Sequence, residues 1–276
     1  KLSFAYLVFA IRPPLFHDTE FFEMSLFTIA DLHLSTDSKT NKSMEVFGSR
    51  WKDYTSRLET NWRAVVSDGD TVVIPGDISW ALTLEEAKCD LLFLESLPGK
   101  KILGKGNHDF WWTTMKKHER FFEEAGIHSL SFLYNNAHET EDFIIAGSRG
   151  WYNDPDAVKS PNPSDFSKVT ARELGRLKTS LDAARVLAGK SGKEILAFTH
   201  FPPVWNGEAS EEIVSLLLSY GVRRTYFGHI HGNYTVPPET EYRGIRFTLI
   251  SADYLSFLPR VIRKDTEDKK EILSKT

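Results

Sequence analysis

The stretch Lys101-Ile102-Leu103-Gly104-Lys105-Gly106-Asn107-His108-Asp109 decides how this chain is read. A short apolar run, of strand length and punctuated by glycine, stops on an amide, an imidazole and a carboxylate. The same event recurs along the chain. Ser25–Ala30 runs into Asp31-Leu32-His33, and Thr71–Pro75 into Gly76-Asp77. Glu194–Thr199 runs into His200, and Arg223–Phe227 into Gly228-His229-Ile230-His231. Phe143–Gly147, Ile245–Ser251 and Phe257–Ile262 complete the strand candidates.

Between these runs the apolar spacing changes to three and four, which predicts helices. One is marked by Leu58, Trp62 and Val65, and a second by Leu84, Ala87, Leu91 and Leu94. A third is marked by Leu174, Leu177, Leu181 and Ala184, and a shorter fourth by Ile213, Leu216 and Leu217. Alternation of short strands with helices argues an α/β fold. Tyr152–Asp165, with prolines at 155, 161 and 163, reads as a loop joining two halves.

In open α/β sheets, ligands gather beyond the carboxyl ends of the strands. Five of the nine histidines stand at such ends, so the loops carry more than turns. A lone Asp-x-His or His-x-His says little; the ordered set says much. A carboxylate has two oxygens and can bridge two cations, which suits Asp77. Neutral imidazoles bind first-row metals without cancelling their charge, and Asn107 offers a neutral carbonyl oxygen. Two divalent ions with two carboxylates and one bridging hydroxide keep net positive charge, which attracts phosphate.

This ordered pattern, complete from Asp31 to His231, resembles that of the calcineurin-like metallophosphoesterase superfamily. The resemblance implies a four-layer αββα sandwich, two facing mixed β-sheets flanked by helices. It implies that Asp31, His33, Asp77 and His231 hold one metal, and Asp77, Asn107, His200 and His229 another. The ions would be divalent or mixed-valence manganese, iron or zinc. A hydroxide bridging them would attack phosphorus, with His108 contacting the phosphate or protonating the leaving oxygen. The expected function is hydrolysis of a phosphomonoester or phosphodiester in a small phosphorylated molecule or nucleotide. A catalytically silent scaffold would be expected to lose ligands, and none is lost. A nuclease is disfavoured by the acidic balance of the chain.

One segment departs from the Ser/Thr protein phosphatases of this superfamily, which carry an acidic residue three after the Gly-Asp aspartate and then Arg-Gly. Gly76-Asp77-Ile78-Ser79-Trp80-Ala81-Leu82 has Trp80 at the acidic position and no arginine. This argues against that type of phosphatase and leaves His108 without its orienting partner. Arg149, at a strand end before Trp151, can grip phosphate or form a surface ion pair. Trp111 and Trp112 can contact substrate or pack in the core. His17, His118, His128 and His138 have no comparable context. Gly189-Lys190-Ser191 follows a helix and precedes a strand, the reverse of a P-loop.

A charged fraction of 26% beside 41% hydrophobic residues fits an ordinary globular chain with a sizeable core. A formal net charge of -4 offers no general attraction to nucleic acid or anionic membrane. The single cysteine, Cys89, excludes an intrachain disulfide framework and suits a reducing, cytoplasmic compartment; its helical context predicts packing. Leu2–Ile11 is apolar but too short to span a bilayer. We expect residues 1–23 to be an extension outside the essential fold, 24–263 the catalytic domain, and 264–276 a charged tail.

Overall fold

The computed structural model describes residues 24–37, 42, 44–151 and 163–264. The expected extension 1–23, and the tail beyond Lys264, lie outside the described residues. In chain order the strands are β1 (Leu26–Thr28), β2 (Thr71–Pro75), β3 (Lys100–Gly104), β4 (Leu130–Phe132), β5 (His138–Glu139), β6 (Phe143–Ser148) and β7 (Glu194–Thr199). There follow β8 (Val204–Trp205), β9 (Glu208–Ala209), β10 (Arg224–Phe227), β11 (Glu239–Tyr242), β12 (Ile245–Leu249) and β13 (Arg260–Ile262). The helices are α1 (Tyr54–Val65), α2 (Lys88–Ser96), α3 (Met115–Ala125), α4 (Pro163–Ser191) and α5 (Glu211–Ser219).

Two sheets carry the fold, in the orders β13-β1-β2-β3-β4 and β11-β12-β10-β7-β6-β5, while β8 and β9 form a small hairpin. β1 to β4 pair parallel and β13 pairs antiparallel with β1. β6, β7, β10 and β12 pair parallel, with antiparallel β5 and β11 at the edges. Parallel neighbours require crossovers, and α1 to α5 supply most of them.

The strand period of two sorts the core into three layers. Phe27, Val72, Ile74 and Leu103 turn outward to Leu58, Trp62, Leu91, Leu94 and Phe121 of α1, α2 and α3. Their neighbours Leu26, Val73 and Ile102 turn inward, where they meet Phe143, Ile145, Leu196 and Phe198 of the second sheet. Ile144, Ala146, Ile195 and Ala197 face Leu177, Leu181, Val214 and Leu217 of α4 and α5. Helix, sheet, sheet, helix: this is the four-layer sandwich. Covering both faces of each sheet explains why its strands are near-continuous apolar runs.

Several expectations are corrected. Helix α4 includes Pro163, so the loop expected over Tyr152–Asp165 is shorter, and its residues 152–162 lie outside the described ones. That segment also lies within the crossover from β6 to β7 of one sheet; the halves meet instead between β4 and β5. Helix α3 was not expected, because His118 takes an apolar place beside Phe121 and Phe122 in its buried face. Cys89 is exposed, since the buried stripe of α2 runs through Asp90, Leu91 and Leu94 and leaves the cysteine on the solvent side. Strand β13 begins at Arg260, because Phe257 has a φ of 63° and packs against Trp51 and Tyr54. No helix among the described residues is long and apolar enough to cross a membrane.

Gly147 of β6 approaches β7 so closely that an added Cβ would lie 2.1 Å from the Phe198 carbonyl oxygen and 2.8 Å from Leu133 Cδ2. Gly147→Ala is expected to cost about 1–3 kcal/mol in chemical denaturation. Gly175→Ala, in α4 with open space around it, should instead gain about 0.5–1 kcal/mol. Equal effects would contradict this packing.

Candidate metal centre

The parallel strands of both sheets end at one rim, and there the loops continue the ladder. Asp31 N–H donates to Gly76 O at 3.0 Å, His33 N–H to Asp77 O at 2.9 Å, and Leu34 N–H to Ile78 O at 2.9 Å. Ala30 joins the sheets: its N–H donates to Ile250 O at 2.8 Å and its carbonyl accepts from Ala252 at 2.8 Å. Gly228 N–H donates to His200 O at 3.1 Å.

This rim brings all seven expected ligand residues together. Asp31, His33 and His231 form one group and Asp77, His200 and His229 a second, with the potential donor atoms in each within 4.8 Å of one another. His33 Nε2 and His231 Nε2 are 3.1 Å apart. Asn107 Oδ1 completes the second group, 2.7 Å from His200 Nε2 and 2.9 Å from His229 Nδ1. Asp77 Oδ2 lies 3.6 Å from His33 Nε2 and 3.5 Å from His200 Nε2, facing both groups at once. Metal bonds of about 2.0–2.2 Å, at right or tetrahedral angles, separate neighbouring donors by about 3 Å. The donor set therefore fits divalent cations in spacing as well as in chemistry.

The backbone is strained to achieve this. Asp31, His33, Asp77 and His229 have φ of 59°, 45°, 50° and 70°, a left-handed conformation that costs about 1–3 kcal/mol each. Two glycines make the approach possible. A Cβ at Gly106 would fall 2.0 Å from Asp77 Oδ1, and one at Gly228 2.3 Å from Asp31 Oδ2.

Three buried carboxylates that stand outside the ligand pattern bolt the loops. Asp109 accepts from the N–H groups of Gly106, Asp77 and Ile78 at 2.7, 2.9 and 2.9 Å, and from Trp111 Nε1 at 3.0 Å. It thus ties the loop after β2 to the loop after β3. Asp90 accepts from Thr36 N–H at 2.7 Å and from the hydroxyls of Thr36 and Ser79. Asp253 accepts from His231 Nδ1 at 2.9 Å, Gly232 N–H at 3.1 Å and Tyr234 OH at 3.0 Å. Asp253 follows β12 as the other polar residues follow their strands, so the strand-end rule could have found it.

Electrostatics mark the site as built for positive charge. Burial pushes the Asp31 carboxyl up to about 6 and Asp77 well above the usual carboxylate range, with repulsion from Asp109 and Asp31 adding to Asp77. Burial lowers His33 and His200 well below the usual imidazole value and His229 to about 3, with His231 adding repulsion. Neutral imidazoles have free lone pairs, which metal binding requires. Burial also works against the charge of His231, but its hydrogen bond to Asp253 and the nearby Asp31 hold its pKa up.

Trp80 accounts for the missing acidic partner. Its ring stacks on His33 at 4.8 Å and packs on His108 at 4.4 Å, so aromatic contact takes the place of a carboxylate. His108 N–H donates to Asp77 Oδ1 at 2.8 Å, and burial lowers the pKa of its ring. Trp111 is buried against the helices, and Trp112 packs on His118 and Phe132, which favours the core reading for both. Arg149 is not in a surface pair: its partner Glu173 is buried, at 3.4 Å.

The calcineurin-like phosphoesterase family matches residues 24–233. Comparison with the curated proteins finds no match. Among solved structures, the chain is similar to the phosphopantetheinyl hydrolase of Mycobacterium tuberculosis, with 15% identity and a TM-score of 0.50 over 89% of this chain and 98% of that one. It is also similar to a protein of unknown function from Aquifex aeolicus, with 18% identity and a TM-score of 0.42 over 90% of this chain and 99% of that one. With three quarters of the chain matched and the metal-ligand pattern gathered at one rim, the protein belongs to the calcineurin-like phosphoesterases.

Proposed function

We propose that the protein hydrolyses a small phosphomonoester or phosphodiester at a centre of two metal ions. The observation that carries this reading is Asp77 Oδ2, a single carboxylate oxygen within 3.6 Å of both donor groups. In this reading Asp31, His33, Asp77 and His231 hold one ion, and Asp77, Asn107, His200 and His229 the other. Bound there, manganese, iron or zinc would supply Lewis acidity for the phosphoryl oxygens and lower the pKa of the attacking water.

The remaining roles fall to the chain itself. Asp253 fixes the ring of His231 through Nδ1, leaving Nε2 as the donor atom. Trp80 and the Asp77 hydrogen bond hold His108 beside the centre. From there its imidazole can touch the phosphate and pass a proton to the leaving oxygen. Arg149 adds a guanidinium for an anionic substrate. The net charge of -4 supports a small substrate over nucleic acid. The exposed, unpaired Cys89 is in keeping with a reducing, cytoplasmic location.

Asp77→Ala should reduce bound manganese from two ions per chain to at most one and lower turnover of nitrophenyl phosphate by at least about a thousandfold. Elemental analysis and kinetics read both; two retained ions with full turnover would refute the bridging role. His108→Ala should keep its metal and lose about 10²–10⁴ in rate on alkyl esters, with less loss on nitrophenyl esters. Equal rates on alkyl esters would remove His108 from the mechanism. Asp253→Ala should weaken metal affinity about 10–100-fold in a chelator competition; unchanged affinity would show that Asp253 serves the fold alone.

A further inference from the structure

We propose that Lys105, Arg149, Arg172 and Arg176 form an anion subsite beside the metal centre, so that the substrate carries a second anionic oxygen group, phosphate or carboxylate, near its phosphoester. This deepens the phosphoesterase reading above and rests on it for the position of the reacting phosphate.

The cluster is built around Glu173 of α4, whose side chain is 1% exposed. Its Oε1 has Arg176 Nη1 at 2.6 Å, Arg149 Nη2 at 3.4 Å and Arg172 Nε at 3.8 Å. All three guanidiniums crowd one oxygen, while Oε2 is buried without a hydrogen-bond partner. Aromatic rings brace two of them: Arg149 lies over Trp151 at 4.7 Å and Arg176 over Tyr134 at 5.3 Å. Lys105, half-buried, lines the same small cavity as Arg149, Glu173 and Arg176.

A structural ion pair needs one cation for one carboxylate. Here three guanidiniums share Glu173 with Lys105 nearby, and no other carboxylate pairs with them among the described residues; Asp109 and Asp77 attract Lys105 and Arg149 only from beyond ion-pair distance. Arg149 Nε–H is moreover buried without an acceptor. Like charges held together in a partly buried place repel, and the arrangement is relieved by an anion that accepts from several of them.

Position makes that anion part of the substrate. The Arg149 carbonyl accepts from the N–H groups of His200 at 3.1 Å and Phe201 at 2.9 Å. Lys105 precedes Asn107 by two residues, so their Cα atoms are no more than about 7.6 Å apart. Lys105 and Arg149 therefore stand beside the second donor group, one after a strand of each sheet, and α4 brings Arg172 and Arg176 to Arg149. The cavity among them, about 10 Å³, has room for one water at most. The anionic group would therefore bind at the mouth of this cavity, outside it.

The test compares binding of propylphosphonate, propane-1,3-diylbisphosphonate and 3-phosphonopropanoate to the manganese-loaded protein by calorimetry. The subsite predicts that a doubly anionic compound binds at least about tenfold tighter than propylphosphonate, and the two arms separate phosphate from carboxylate. Lys105→Gln and Arg172→Gln, both at partly exposed positions that a folded chain tolerates, should each shrink that ratio to below about threefold. A ratio near one in the unaltered protein overturns the proposal, as does a ratio that both variants leave intact. Because these phosphonates are not hydrolysed, the ratio is read whether or not the protein turns over nitrophenyl phosphate. A ratio without turnover would overturn the phosphoesterase reading and keep the subsite, and turnover without a ratio would do the reverse.

Discussion

Gathering buried carboxylates and imidazoles at the rim of two sheets is the constraint on which the rest of the structure depends. Asp31 and Asp77 are at most 1% exposed, and His33 and His200 at most 2%. Each uncompensated buried charge costs several kcal/mol, and four left-handed residues of the site add strain. A domain with about 5–15 kcal/mol of net stability cannot carry such a burden unsupported. The support is visible in the loops. Asp109 gathers N–H groups from the two loops that carry Asp77 and Asn107, Asp90 joins Thr36 to Ser79, and Ala30 stitches the sheets together. The three-layered core packs beneath this rim and supports it. The remaining compensation is electrostatic, and cations held between the two groups would supply it.

Much of this was legible because it is local. Each expected ligand follows a strand whose apolar run is easily read, and parallel sheets bring such ends together. Periodicity found Leu58 and Trp62 of α1, Leu91 and Leu94 of α2, and Leu177 and Leu181 of α4, all buried. Where a polar residue serves the core, the pattern fails. His118 hides α3, and Asp90 sits in the buried stripe of α2 and displaces Cys89 to the surface. Partners distant in sequence were not legible at all. Asp253 meets His231 across 22 residues and Glu173 meets Arg149 across 24, through folding that no spacing rule describes.

Trp80 sets the surroundings of both His33 and His108. In place of an acidic partner, an indole holds the His108 ring by contact, while burial lowers the pKa of that ring. No arginine follows Trp80 before Leu82, and across the site Arg149 stands just after β6, its carbonyl bonded to the His200 N–H. The site is therefore asymmetric, aromatic along the Trp80–His108–Phe110 side and cationic along the Lys105–Arg149 side.

The central claim is that the donors of both sheets share two cations through Asp77. Anomalous diffraction from crystals of the manganese-loaded protein tests it most directly. The account predicts two peaks about 3.5–4 Å apart, on either side of the Asp77 carboxylate. A single peak, or two that both lie away from Asp77, would contradict it.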